Sequence, residues 1–266
     1  MVKMNIRRFG RLEYKANEAF NTLCTNLLLS GVDVKKIMVT SVHPSNGKTF
    51  IAMNLMRSLA QQGKKVVMVD ADIRASVIKG TYDVRIATED GNKYPGLTKY
   101  LANGCSVSDI LGETNIPNAW MILAGRNVMN SMSLLSSPRL KTLFDELSEQ
   151  FDVVIVDAAP AGTIIDAVKI SESCDGTLVV VESGDVSRQE LKETIAQLEK
   201  TNCPILGMVL NKFDERKYGN NYYHKSYYSN YYSKGDRYGR YARYGIDDKS
   251  AWDGKKKKKA EDSDDE

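Results

Sequence analysis

The chain has 266 residues, 42% of them hydrophobic, enough for one sizeable core or at most two small ones. Its net charge of +3 is too small to argue for nucleic acid from bulk charge. The opening MVKMNIRRFG lacks the apolar core of a signal peptide, and no stretch approaches the roughly 20 apolar residues of a membrane-spanning helix, so a cytoplasmic protein is expected. Cys24, Cys105, Cys174 and Cys203 stand far apart without a C-x-x-C pair, which points to buried free thiols rather than a zinc site or a disulfide framework.

Along the chain, KIMVTS (36 to 41), KVVMVD (65 to 70), VVIVD (153 to 157), TLVVVE (177 to 182) and ILGMVLN (205 to 211) are short, β-branched and continuously apolar. Such strands are covered on both faces, as in a parallel sheet. Helical patterns lie between them. Ser137-Pro138 precedes RLKTLFDELSEQ, and the box Ser187-x-x-Glu190 precedes LKETIAQLEK. The class is α/β, a mostly parallel sheet flanked by helices.

After Asp214 the aliphatic residues nearly vanish, and a disordered tail is expected. It carries ten of the fourteen tyrosines: Tyr218, Tyr222, Tyr223, Tyr227, Tyr228, Tyr231, Tyr232, Tyr238, Tyr241 and Tyr244. The expected organisation is a domain over 1–214, a tyrosine-rich tail over 215–249 and a charged end over 250–266.

KIMVTS runs directly into VHPSNGKTF and then the helical IAMNLMRSLAQQG. Strand, G-K-T, helix is the context of a phosphate-binding loop, here with Val42 in place of the usual first glycine. Ser45, Asn46, Gly47, Lys48, Thr49 and Phe50 are expected to cradle the phosphates, Lys48 reaching the outer ones and the Thr49 hydroxyl taking Mg²⁺. VVMVDADIR supplies Asp70, Asp72 and Arg74, and VVIVDAAP supplies Asp157, each just beyond an apolar strand where a parallel sheet meets its ligands. Asp157 reads as the Walker B carboxylate. Asp70 and Asp72, two apart, would share a face of an extended segment and reach one metal or one incoming hydroxyl. NKFD (211 to 214) matches a guanine-reading form at a strand end and makes Asn211 a nucleotide contact, leaving a GTPase as a rival reading.

On these motifs the chain resembles the bacterial tyrosine kinases (BY-kinases) of capsule and exopolysaccharide export, over roughly residues 14 to 244. SVHPSNGKT, VMVDADIR, VIVDAAP and the tyrosine cluster carry the resemblance, with looser similarity in EAFNTLCTN, GLTKYL, ILAGR and GMVLNKFD. It implies a P-loop NTPase-like fold and ATP-dependent phosphorylation of tyrosine, with Mg²⁺ and with a neighbouring chain's tail as substrate. Lys48, Asp70, Asp72 and Asp157 become the catalytic set, with Asp70 nearest the acceptor and Asp72 on the metal's water shell, roles open to exchange. Thr49, Asp72 and Asp157 become the metal set, and Arg74 either orients carboxylates, contacts substrate or forms an ion pair. The resemblance also implies self-association, a membrane adaptor that recruits the kinase to the inner face of the membrane, and a partner phosphotyrosine phosphatase.

Rival readings are a ParA/MinD-type ATPase, disfavoured because His43 stands where those enzymes carry a lysine, and a silent scaffold. An RNA-binding tail also suits interleaved Tyr and Arg, but beside a P-loop no nucleic-acid partner is expected. Between Arg216 and Tyr244 the net charge is +6, and five phosphotyrosines would turn it to about −4. Two departures from the family stand out. Glu18, Asn21 and Cys24 replace a Glu with two Arg on a self-association face, and the segment 75–96 reads as a surface insertion or a loop by the substrate entrance.

Overall fold

The computed structural model describes residues 2–31, 33–88 and 93–214. The ten tail tyrosines, the segment 250–266 and the boundary at 215 lie outside the described residues.

The chain enters through β1 (Val2–Ile6), where Val2, Met4 and Ile6 are buried and Lys3 and Asn5 exposed, the period-two pattern of a strand with one covered face. Helix α1 (Tyr14–Leu29) turns Phe20, Cys24 and Leu27 inward. Then come β2 (Lys36–Ser41), α2 (Lys48–Gln61) and β3 (Val66–Asp70). Helix α2 lies between the sheet and α1, and its buried positions run all round it, from Ile51 and Leu55 to Met53 and Met56.

Two short elements, α3 (Ile78–Thr81) and β4 (Val84–Ala87), precede α4 (Gly96–Leu101), α5 (Val107–Ile110), β5 (Gly112–Thr114) and β6 (Ala119–Ile122). The chain continues through α6 (Ser131–Leu135), α7 (Pro138–Gln150), β7 (Val153–Asp157), α8 (Asp166–Ser171), β8 (Gly176–Glu182), α9 (Arg188–Leu198) and β9 (Ile205–Asn211). The expected caps are present. Ser137 accepts from the Arg139 amide ahead of Pro138, and Ser187 and Glu190 close a reciprocal capping box.

All nine described strands form one sheet in the order β4-β1-β5-β6-β3-β7-β2-β8-β9. From β6 to β9 every pairing is parallel, whereas β1 pairs antiparallel with β4 and β5 antiparallel with β6. Alternate residues feed two cores. Ile37, Val39, Met68 and Ile155 join the α1 and α2 side, while Met38, Val67, Val69 and Val154 join Leu140, Phe144 and Leu147 of α7 on the other. That two-sided burial is the physical cause of the unbroken apolar runs.

The segment 75–96 is neither a surface insertion nor a plain loop. It supplies α3 and the edge strand β4, with Ile78, Tyr82 and Val84 buried, because β1 needs a partner on its outer side. The four thiols are free, with Cys24 and Cys203 buried and Cys105 and Cys174 only partly so. Among the described residues no helix is long and apolar enough to cross a membrane.

Candidate active site

The parallel strands β2, β3 and β7 end side by side, and their register decides what meets. Asp70 at the end of β3 lies opposite Asp157 at the end of β7, and Asp157 lies opposite Val39 of β2. Every group of the site therefore stands at the carboxyl edge of the sheet.

Beyond β2 the chain turns through Ser45 (φ 65°) and Gly47 (φ 96°) into α2. Gly47 is the residue that space dictates: a Cβ there would lie 2.1 Å from the Asn211 side-chain nitrogen. Asn211 Nδ2 donates to the Asn46 carbonyl at 2.9 Å, tying the end of β9 to the loop. The buried Asn46 side chain accepts from the His43 amide at 2.9 Å and donates to Asp185 at 2.9 Å. It braces the loop, leaving main-chain groups to face a phosphate. The Phe50 ring packs edge-on against Phe20 of α1, 6.1 Å between centroids, so only its main chain belongs to the loop.

Inside the loop, Thr49 Oγ1 donates to Asp157 Oδ2 at 2.7 Å and Lys48 Nζ pairs with Asp72 Oδ2 at 3.0 Å. Asp70 Oδ2 accepts a short hydrogen bond from the Ser76 hydroxyl. Asp70 and Asp72 therefore take separate partners, since Asp72 lies beyond the strand end, where its Oδ1 also accepts from the Ala75 amide at 3.1 Å. Two buried carboxylate oxygens, Asp70 Oδ1 and Asp157 Oδ1, have no hydrogen-bond partner.

Burial, reinforced by the charges of Asp157 and Asp72, pushes Asp70 up to about 8. Burial also raises Asp157, to about 6, against the pull of Lys48 and the Thr49 hydrogen bond. For Lys48 burial acts downward, yet Asp157, Asp72 and Asp70 outweigh it and hold the ammonium above its ordinary value. One ammonium among three acids leaves a buried pocket short of positive charge. The orphaned oxygen of Asp157, on the carboxylate that takes the Thr49 hydroxyl, is the kind of donor a hard divalent cation uses.

Of the roles left open for Arg74, the structure displays the ion pair. Its Nε and Nη2 donate to Asp166 at 2.7 and 3.1 Å, and Ser131 donates to the same buried carboxylate at 2.6 Å. His43 bridges Asp185 and Glu190, 3.1 Å from each. The Asp185 hydrogen bond leads in raising its pKa, with Glu190 adding to it. On α1, Asn21 donates to Glu18 at 3.1 Å while Cys24 faces the core, so the three positions do not form one exposed face.

Sequence reasoning missed Ser76, Asp166 and Asp185, and took Glu190 only as a cap. Asp166 at the head of a helix after the Walker B loop, and an acid within two residues of a Ser-x-x-Glu box, are the signals that point to two of them. Nothing local marks Ser76.

The CobQ/CobB/MinD/ParA nucleotide binding domain matches residues 37–231. The tyrosine-protein kinase CpsD of Streptococcus pneumoniae is 39% identical over 213 residues, which span 79% of this chain and 91% of that protein. The kinase domain of Escherichia coli tyrosine kinase ETK superposes with a TM-score of 0.69 at 27% identity, covering 78% of this chain and 79% of that one. The septum site-determining protein MinD of Pyrococcus horikoshii, complexed with Mg-ADP, shares the fold at a TM-score of 0.55 and 23% identity, over 69% and 73% of the two chains. The domain match spans most of the chain, and nearly the whole of a kinase aligns with it. This chain belongs to the bacterial tyrosine-protein kinases built on the CobQ/CobB/MinD/ParA nucleotide-binding domain.

Proposed function

We propose that the chain transfers the γ-phosphoryl group of ATP to tyrosines in the tail of a second copy, and that it acts in capsular or exopolysaccharide synthesis. The observation that carries the site is the buried Asp157, whose Oδ2 accepts from the Thr49 hydroxyl and whose Oδ1 has no hydrogen-bond partner among the described residues. Thr49, Asp157 and Asp72 fit Mg²⁺, which when bound neutralises charge on the transferring phosphates.

The chain's own groups do the rest. Amides of residues 45–50 bind the phosphates, and Lys48 exchanges its Asp72 partner for the outer phosphate oxygens. The Ser76 hydroxyl on Asp70 occupies the place of an acceptor phenol, so the incoming tyrosine displaces it and gives its proton to Asp70. A carboxylate raised toward 8 by burial holds that proton better than an ordinary one. The phenol oxygen bonds to the γ-phosphorus as the β,γ-bridging bond breaks, and ADP leaves. Asn211 positions the loop through Asn46.

The domain boundaries at 215 and 250, the adaptor that recruits the chain to the inner face of the membrane and a cognate phosphatase belong to the same reading. A tail whose charge reverses on phosphorylation suits a contact made and released by modification.

Purified chain incubated with MgATP should gain phosphotyrosine, and a Lys48→Met chain should not. Replacing the ten tail tyrosines with phenylalanine should remove most incorporation. A Lys48→Met chain beside an active, tail-free copy should be labelled, and an unlabelled one would rule out transfer between chains.

A further inference from the structure

A cavity of about 710 Å³ opens beside Ser76, between α3, β4 and the loop after β6. Its wall includes Ser76, Lys79, Arg85, Lys93, Tyr94 and Arg126. Ser76 is the residue whose hydroxyl sits on Asp70, so a phenol arriving at Asp70 lies at the mouth of this cavity. Among the described residues Asp83 is the one acid in the lining, and it is already paired with Arg85 at 2.8 Å and Arg7 at 3.5 Å. Lys79, Lys93 and Arg126 are exposed and have no ion-pair partner among the described residues.

The aromatic wall is fixed. The Tyr94 hydroxyl donates to the Ile110 carbonyl at 2.7 Å and accepts from the Leu123 amide at 3.0 Å. The backbone is fixed as well. Gly96 (φ 75°) packs on Gly125 (φ 88°) so closely that a Cβ at 96 would lie 2.3 Å from the Gly125 Cα, which sets Arg126 at the rim. Three unpaired cations around a cavity of ligand size with an aromatic side describe a receptor for an aryl phosphate.

We propose that this cavity binds a phosphotyrosine of the acceptor segment, so that one modified tyrosine holds the tail while the next is phosphorylated. The inference rests on the reading that the tail is the acceptor. An unmodified tail at +6 is repelled by the cavity, and each phosphate adds about −2 and reverses that preference locally. Six of the ten tail tyrosines come in adjacent pairs, Tyr222-Tyr223, Tyr227-Tyr228 and Tyr231-Tyr232, so a second phenol lies next to a modified one within each pair. Raised effective concentration then drives the later transfers.

The test uses the full Lys48→Met chain, which cannot turn over, and a labelled peptide of residues 220–233 with or without phosphate on Tyr227. The phosphopeptide should bind about tenfold more tightly than the plain peptide. K79Q/K93Q/R126Q in the same chain should erase that preference. Equal affinity for the two peptides, or a preference the triple variant retains, overturns the proposal. Should the triple variant not fold, Arg126→Gln alone must weaken phosphopeptide binding by a smaller factor, and no weakening counts against the site.

In the active chain the triple variant should add the first phosphate at the parent rate but accumulate singly modified chains where the parent shows several phosphates by mass. Coincident distributions overturn the proposal. A parent that puts no phosphate on the tail defeats the acceptor reading instead, and the peptide binding still decides the cavity.

Discussion

The two halves of the sheet are built on different rules. From β6 to β9 the strands are parallel, with β3, β7 and β2 buried on both faces and β9 a partly exposed edge, and they carry the loop, the lysine and the carboxylates. From β4 to β5 they are short and mixed in direction, and the outermost of them, β4, lines the cationic cavity. The first half holds what any nucleotide enzyme of this fold requires. On the proposed reading the second stands where the acceptor would approach, so the donor side of the reaction would rest on regular structure and the acceptor side on the sheet's irregular flank.

The sharpest way to break this division is to disable the first half alone. Asp157→Asn should cost about 10³-fold or more in phosphoryl transfer, because it removes a charge from the proposed metal set. Its thermal midpoint should not fall, since the substituted carboxyl is one that burial disfavours in charged form. Full activity in that variant would reassign the metal set.

Stability should not follow the same division. Met4 in β1 and Met38 in β2 are both buried, at 2% and 0% exposure, so truncating either to alanine should cost about 3 kcal/mol in urea unfolding. Met208 on β9, 58% exposed, should change by less than about 0.5 kcal/mol on the same substitution. If Met4→Ala were as mild as Met208→Ala, the outer half would be an appendage rather than part of the core.

Smaller effects sharpen the picture of the loop. Ser187→Ala removes the hydroxyl that caps α9 by accepting from the Glu190 amide, and should cost about 1 kcal/mol. Because His43 has a folded pKa above its unfolded one, near 6.5, its bridge stabilises fully below about pH 6.5 and fades as pH rises through the folded value. His43→Gln should therefore lower the thermal midpoint slightly at pH 6, by under about 2 °C, and not at pH 9. Equal shifts at both pH values would remove the charge from that account.

The same division explains what could be read from the sequence. Four of the five strands found there, β2, β3, β7 and β8, are buried on both faces over most of their length, a condition that writes itself as an unbroken apolar run. The fifth, β9, is an edge strand found by its apolar composition although Met208 and Leu210 are exposed. VKMNI, VRIA and GET could not be found that way: two are half-covered, and the third has three residues and opens on a glycine held under Met4. AWMI, the outermost of the parallel strands, has only four residues. In the site, Lys48, Thr49, Asp70, Asp72 and Asp157 were legible because short motifs at strand ends imply their positions. Ser76 was not, since nothing local marks it, and the local cues at Asp166 and Asp185 do not name their partners, which only the folded chain supplies, as Arg74 does for Asp166 from 92 positions away.

The placement of β1 bears on how the molecule is made. Val2 pairs with Gly112 and Lys3 with Ala87, so the strand leaves the ribosome well before either neighbour exists. At ordinary elongation rates it waits on the order of ten seconds with Val2, Met4 and Ile6 uncovered. Pairings this distant carry a large loop-closure entropy and slow folding. The sheet's outer edge is then sealed only after residue 112 has been made, and a nascent chain stalled before that point offers a sticky strand to chaperones or to other nascent copies.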